Sequence, residues 1–224
     1  MPEIAAREPR IPTMSFLGLS NAADRASTRG GRASLARWIV VVTIGEALGF
    51  AIAGIVAVAA TSAGIPDPWR YVAIIAGGAA EGATLGAAQL AGMGAPRPRL
   101  APWIGATATG AAIAWSLGML PSTVSLDLGS PFGIAAMAIG AVILLSCIPV
   151  AQWAVIRRRA GALRWIPVNM GAWAVAILWT FAPSPWIDSS TPVGVIVTTY
   201  TFAGLLMAAT VAALTATTAR ALFA

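Results

Sequence analysis

Residues 37–61 read RWIVVVTIGEALGFAIAGIVAVAAT, and this apolar run contains a single acidic side chain, Glu46. A hydrophobic stretch of about 20 residues is long enough to cross the hydrocarbon core of a bilayer as a helix. Further stretches of the same character lie at roughly 71–94, 101–120, 132–156, 164–182 and 193–216. The sequence therefore predicts six transmembrane helices.

The composition of the whole chain argues against a soluble globular fold. The chain has 224 residues, of which 58% are hydrophobic and 10% charged, and its mean hydropathy is +0.81. A soluble domain has about 25% charged residues, so this chain lacks the polar side chains to cover a water-exposed surface. We expect an all-α integral membrane protein with a transmembrane domain at 36–220. The polar segment 1–35 is expected to be a disordered cytoplasmic tail without a cleaved signal peptide.

The arginines predict the orientation of the chain in the membrane. All 14 basic residues are arginine, and lysine and histidine are absent. Thirteen arginines fall in the tail, in the loops after spans two and four, or after span six, whereas only Arg70 falls on the other side. Because cytoplasmic loops are enriched in basic residues, we expect both termini in the cytoplasm of a bacterium, with the chain in its inner membrane. The pI of 11.2 then reflects topology, and the expected partner is the lipid bilayer and not nucleic acid.

A pattern of about 60 residues recurs three times. Tryptophans open the odd spans at Trp38, Trp103 and Trp165. Aspartates recur in the loops at the other membrane face at Asp67, Asp127 and Asp188. The inner ends of the even spans carry Gln89, Gln152 and, more weakly, Thr215. Since each unit contains two spans, all copies have the same orientation. We expect three parallel-repeat hairpins, 37–94, 101–156 and 164–216, in an approximately threefold bundle.

The hairpin pattern resembles a group of small bacterial multi-pass membrane proteins. These proteins are built from repeated helical hairpins with a G-x-x-Q-W motif, then arginine, then W-x. The matching residues here are Gly86–Gln89 and Pro149–Trp153, followed by Arg157–Arg159 and Trp165. The first copy has Leu90 in the tryptophan position, and the third copy lacks the glutamine. The group has no established activity, so the resemblance implies an architecture only.

Small residues form stripes on the first two spans. Span two carries Gly78, Gly82 and Gly86, and span one carries Gly45 and Gly49. Small residues at four-residue spacing let helices approach closely in lipid, where no hydrophobic force drives them together. We therefore expect the two stripes to pack against each other within the first hairpin.

The tryptophans divide by their predicted depth. Those that open the hairpins are expected to anchor the chain at the membrane interface. Trp115, Trp173 and Trp179 lie deeper, where they are expected to pack or to bind a lipophilic ligand.

Two acidic residues, Glu46 and Glu81, lie within the predicted spans, both in the first hairpin. An acidic residue at the helix centre costs about 2.5–3.5 kcal/mol on insertion scales, and it usually faces the bundle interior and marks a function. Glu46 follows Trp38 by eight residues and Glu81 precedes Gln89 by eight, so both are expected about 12 Å from the same membrane boundary. Side chains expected to support the pair are Thr43, Thr84, Gln89, Gln152, Asn169 and Tyr200.

Two readings of the glutamate pair remain open from the sequence. Two close carboxyl groups in a low dielectric do not both ionise, so the pair is expected to share a proton or to bind a cation. The alternative is a purely structural hydrogen bond between neutral acids.

The residue types that are missing narrow the chemistry further. Without lysine there is no retinal-type Schiff base, and without histidine there is no usual haem ligand, HExxH zinc site or Ser–His triad. The sequence also lacks a GxxxxGK[ST] motif. We therefore expect no catalytic residue, no metal site and no cofactor, and hence a protein that is not an enzyme.

Three functions are compatible with these observations. The first is a small transporter or an ion- or proton-coupled protein that uses Glu46 and Glu81, and a chain this short is then expected to form a homo-oligomer. The second is a noncatalytic accessory or assembly subunit of a larger membrane complex. The third is a lipid- or quinone-binding membrane protein.

Overall fold

The structure is a computed structural model that describes residues 16–120, 127, 129–188 and 190–223. The first four helices are α1 (Phe16–Ser62), α2 (Asp67–Gly92), α3 (Leu100–Gly118) and α4 (Pro131–Ile156). A 3₁₀ turn at Ala162–Arg164 leads into α5 (Trp165–Ala176) and the short α6 (Leu178–Phe181). A second 3₁₀ turn at Ser184–Trp186 precedes α7 (Val193–Phe223).

Five helical segments of the described chain are long and apolar enough to cross a membrane. They are Ala33–Ser62, Asp67–Gly92, Pro131–Ile156, Ala162–Trp186 and Val193–Phe223. The predicted class, an all-α protein with several membrane spans, is confirmed to this extent. Helix α3, which covers most of the predicted span 101–120, is not among the five, because its glycine, threonine and serine residues lower its hydropathy. The sixth span stays a prediction.

The amino-terminal part of α1 begins inside the segment that the sequence predicts as a disordered tail. Contacts divide the chain into a unit that ends at Ala33 and a second unit from Ser34 onward. Helix α1 starts at Phe16, so helix extends into the predicted tail, while residues 1–15 lie outside the described residues. Alanine and arginine are good helix formers, and lengthening an existing helix needs no new nucleation.

The helical segments of the second unit contact one another in cyclic order. Helix α2 packs on α3, α3 on α4, α4 on α5, and both α5 and α6 on α7. Helix α1 closes the ring between α2 and α7. Gly45 of α1 lies against Ala88 of α2, and the Trp38 indole donates a hydrogen bond of 3.2 Å to the Ala212 carbonyl of α7. The ring therefore has an interior that every span borders.

The glycines on α1 and α2 make different contacts. Gly49 of α1 packs on α2 as expected, because a Cβ there would lie 2.9 Å from the Glu81 carbonyl oxygen. On α2, however, Gly82 and Gly86 face α3, and a Cβ on Gly82 would lie 2.7 Å from the Thr107 carbonyl oxygen. The expectation that the two stripes meet is therefore wrong. Successive helical residues are about 100° apart, so α2 contacts α1 and α3 with different residues.

The outer surface is apolar, and α4 is its clearest example. Large side chains such as Phe132, Ile134 and Ile139 are exposed along this helix. Soluble monomers rarely expose apolar patches of this extent. The surface is suited to contact with the lipid bilayer.

Candidate functional site

Glu46 and Glu81 line the same cavity, whose volume is about 310 Å³. Glu46 on α1 is completely buried, and Glu81 on α2 is 8% exposed. The close approach of α1 and α2 at Gly49 brings the two helices together beside this cavity. The two acids that the sequence assigns to one depth therefore border one interior space.

The remainder of the cavity wall is mostly apolar and comes from every span. Among its lining residues are Phe50, Leu85, Ala111, Trp115, Leu144, Ile148, Trp173, Ile177 and Met207. Thr180 adds a hydroxyl group, which donates to the Ile177 carbonyl at 2.7 Å. Within the described part of the chain, no basic side chain lines the cavity. An ionised glutamate in this cavity consequently has no cationic partner there.

Glu81 has one strong hydrogen-bond partner, which comes from α3. The Trp115 indole nitrogen donates to Glu81 Oε2 at 2.7 Å. Gly78, one turn away from Glu81 on α2, provides the space for this indole, because a Cβ there would overlap the Trp115 ring. Gly78 therefore makes room for the Trp115 ring. The sequence did not predict Trp115 as the partner of Glu81. The only feature of the sequence that indicates this contact is an indole N–H within a predicted span.

Glu46 has no hydrogen-bond donor in the part of the chain that the structure describes. Neither of its carboxyl oxygens has a partner, and the same is true of the buried Thr43 hydroxyl. The carboxyl groups of Glu46 and Glu81 interact with each other, but a hydrogen bond between them requires a proton on one of them. A buried carboxylate without a donor is costly. The Glu46 oxygens are therefore free to accept a proton or to meet a cation.

The polar side chains that the sequence proposed as support for the glutamates do not line the cavity. The Thr84 hydroxyl donates to the Ala80 carbonyl at 2.8 Å, and the Asn169 amide donates to the Trp165 carbonyl at 2.9 Å. Tyr200 is partly buried on α7. Thr43, Gln89 and Gln152 are likewise absent from the cavity wall. Helical threonine commonly bonds the carbonyl four residues earlier, which explains the position of Thr84.

Gln89 and Gln152 instead form a buried hydrogen-bond network that joins four helices. The Gln152 amide nitrogen donates to Gln89 Oε1 at 2.7 Å and to Thr107 Oγ1 at 2.9 Å. Gln152 Oε1 accepts from the Trp165 indole at 2.8 Å. Gln89 Oε1 also accepts from the Trp103 indole at 3.1 Å. We call these five side chains the glutamine network.

Three tryptophans that the sequence assigned to the membrane interface are buried. Trp38, Trp103 and Trp165 are at most 3% exposed. The ring of Trp165 lies 6.1 Å from that of Trp38 and 6.0 Å from that of Trp103. The Trp38 indole also donates to Thr215 Oγ1 at 3.2 Å. The interface prediction is wrong for these residues because each indole N–H finds an acceptor on a neighbouring helix.

Phe223 completes this aromatic cluster from the end of α7. Its ring centroid lies 5.7 Å from Trp103 and 5.7 Å from Trp165, in edge-to-face geometry. The Arg159 guanidinium lies 5.1 Å from the Phe223 ring, and its Nη1 donates to the Leu222 carbonyl at 2.9 Å. We call Trp38, Trp103, Trp165 and Phe223 the aromatic cluster.

The three recurring aspartates lie at the ends of the connections between helices and make local contacts: Asp67 is the first residue of α2, whereas Asp127 and Asp188 lie in loops. Asp67 pairs with Arg70, and Asp127 Oδ1 accepts from the Gly129 backbone at 2.9 Å. Asp188 accepts from the backbone and hydroxyl of Ser190 and from the Thr191 hydroxyl. These hydrogen bonds, chiefly those from Ser190, lower the pKa of Asp188 from its ordinary value. The aspartates therefore order their own turns.

The described residues contain no group of three or more histidine, cysteine, aspartate or glutamate side chains arranged to hold a metal ion. No family model matches the sequence, and no curated protein or solved structure is significantly similar to it. The resemblance to hairpin-repeat membrane proteins therefore stays a prediction. The sequence and structure together establish a multi-helix protein with five candidate membrane spans.

Proposed function

We propose that this protein is a small transporter of the bacterial inner membrane that exchanges a proton for another cation at Glu46 and Glu81. The observation that carries the proposal is the Glu46 carboxyl group. It is completely buried, has no donor among the described residues, and borders a cavity that Glu81 also borders. Ionisable residues within spans typically mark ion or substrate pathways. The proposal assigns no chemical reaction to the protein, and we propose that it is not an enzyme.

The pair of carboxyl groups suits an exchange reaction. Two carboxyl groups in a low-dielectric cavity avoid double ionisation, so one of them retains a proton. A monovalent cation that displaces this proton leaves the net charge of the site unchanged. The cavity therefore carries either a proton or a cation at similar electrostatic cost, which is the requirement for coupled exchange.

The proposed threefold arrangement explains where the acids lie. Counting eight residues forward from Trp38, Trp103 and Trp165 gives Glu46, Ala111 and Trp173. Counting eight residues back from Gln89, Gln152 and Thr215 gives Glu81, Leu144 and Met207. All six positions line the cavity. The indole bonds from Trp103 to Gln89, from Trp165 to Gln152 and from Trp38 to Thr215 follow the same cycle. Both observations support three equivalent hairpins, of which only the first carries acidic residues within its predicted spans.

The proposed orientation has the aromatic cluster and both termini at the cytoplasmic side. Cysteine labelling in a Cys147→Ala background tests it. We expect an impermeant reagent to label Asp127→Cys from outside the cell and Arg158→Cys only after the membrane is opened. The reverse pattern would refute the orientation without affecting the site.

A flux measurement in liposomes tests the transport proposal. Protein is reconstituted with a trapped pH indicator, and salts of sodium, potassium, magnesium and quaternary ammonium ions are added outside. We expect at least one cation to drive protein-dependent proton efflux, and we expect Glu46→Gln or Glu81→Gln to abolish it.

Asp127→Asn serves as the matched control, because it removes an acid in an exposed loop away from the cavity. It is expected to keep the flux. Folded wild-type protein that shows no flux with any of these cations would refute transport.

An accessory subunit of a larger membrane complex is the second candidate. The exposed apolar length of α4, which includes Phe132 and Ile139, favours it because a partner helix would bury this surface. Purification in a mild detergent distinguishes the candidates. A stoichiometric partner protein would favour the accessory role, whereas a stoichiometric lipid or quinone would favour a lipid-binding role.

A further inference from the structure

We infer that the cavity between the spans takes a monovalent organic cation with an apolar body, such as an alkyl or aryl ammonium ion. This inference rests on the proposed function and specifies its substrate class. It is carried by the combination of two carboxyl groups with a wall that is otherwise almost entirely hydrocarbon and aromatic.

The wall is poorly suited to an inorganic cation. Calcium takes six to eight oxygen ligands, and magnesium demands near-octahedral oxygen coordination and keeps several waters. The side-chain oxygens that line the cavity belong to Glu46, Glu81 and Thr180 within the described residues. The Thr180 hydroxyl is engaged with a backbone carbonyl, and Glu81 Oε2 already accepts from Trp115. A small hydrated ion would lose its water shell here without receiving an equivalent set of ligands.

The same wall complements a weakly hydrated organic cation. Rings of Phe50, Trp115 and Trp173 line the cavity, and aromatic faces attract quaternary ammonium groups. Leucine, isoleucine and methionine side chains cover most of the remaining wall. The volume of about 310 Å³ lies at the lower end of the range for small-molecule sites, so a small ligand is expected.

The proposed proton–cation exchange sets the stoichiometry of binding that we expect. Before binding, the pair holds one proton and one negative charge. A quaternary ammonium ion displaces this proton, so one positive charge enters the site and one proton leaves it to solvent. No covalent bond of the ligand is made or broken.

Benzyltrimethylammonium and its neutral carbon isostere neopentylbenzene provide a matched pair of probes. Titration calorimetry on the purified protein in mild detergent measures the affinity for each. Repeating the titration in two buffers of different ionisation enthalpy counts the released protons. We expect the cation to bind at least tenfold more tightly than the isostere, with about one proton released.

The variants assign this preference to the glutamates. Glu46→Gln and Glu81→Gln are each expected to weaken binding of the cation at least tenfold, whereas Asp127→Asn is expected to leave it unchanged. If a glutamine variant fails to fold, the comparison of the two probes on the wild-type protein still decides the inference. Equal affinity for cation and isostere would overturn it.

The result also separates this inference from the transport proposal. Proton release driven by sodium, potassium or magnesium but not by benzyltrimethylammonium would overturn the substrate class and leave proton–cation exchange standing. Tight, proton-coupled binding of benzyltrimethylammonium without flux in liposomes would support the substrate class and refute transport.

Discussion

Replacing Phe223 with alanine is expected to lower the free energy of unfolding by about 3 kcal/mol. Phe223 is 2% exposed and makes edge-to-face contacts with Trp103 and Trp165. Each aromatic pair contributes about 0.5–1.5 kcal/mol, and the cation–π contact from Arg159 adds about 0.5–1 kcal/mol. Truncating a buried phenylalanine costs about 3–5 kcal/mol in soluble cores. We use the lower limit because lipid, unlike water, also solvates the side chain after unfolding.

Phe202→Ala is the matched control for this prediction. Phe202 lies on the same helix but is 64% exposed, so its ring contacts lipid or detergent in both the folded and the unfolded protein. Reversible unfolding in mixed micelles, followed by tryptophan fluorescence, measures both variants. We expect a large loss for Phe223→Ala and almost none for Phe202→Ala. Equal losses would refute the view that the carboxyl-terminal ring holds the aromatic cluster together.

Three further perturbations test other parts of the structure. Gln152→Leu removes three buried hydrogen bonds and leaves the Trp165 indole N–H without its acceptor. It is expected to cost about 2–4 kcal/mol in the same unfolding measurement, and a loss below about 1 kcal/mol would contradict this. Gly78→Ala is expected to displace the Trp115 ring and to alter the near-ultraviolet circular dichroism. Gly54→Ala is the control and is expected to leave the spectrum unchanged, because a Cβ at that position has no atom within 4 Å. Because the pKa of Asp188 is lowered, its ionised carboxylate stabilises the loop at pH values above the ordinary aspartate pKa. This stabilisation is lost as the pH falls through the lowered pKa. A carbon NMR titration with a midpoint at or above the ordinary value would contradict it.

The sequence predicts the helices well because hydropathy and helix length are local properties. It does not predict which way a tryptophan faces. The spacing of Trp38, Trp103 and Trp165 identified them as equivalent, but their burial depends on acceptors that other helices carry. Phe223 was missed for a related reason. The polar residues Thr217, Thr218 and Arg220 lower the hydropathy after residue 216, yet the helix continues to Phe223.

The two acids of the candidate site could be predicted from the sequence, but their hydrogen-bond partners could not. Counting residues from Trp38 and Gln89 assigned Glu46 and Glu81 to one level, since helical rise is constant. The donor to Glu81 comes from Trp115 on the third helix, and that contact depends on which helices are neighbours in the ring. No local pattern in the sequence carries this information.

The ring of helices is closed where α1, its first helix, contacts α7, its last. Ser34 and Phe223 line the same small cleft, and Trp38 of α1 bonds directly to α7, so the two ends of the second unit are close together. A short peptide that joined them would permit new termini before Leu100, because exposed connections tolerate such cuts when the ends are adjacent. The permuted chain would follow the same circle from a different starting point. The helices would then follow one another in a different order along the chain, while each helix kept its neighbours in the ring.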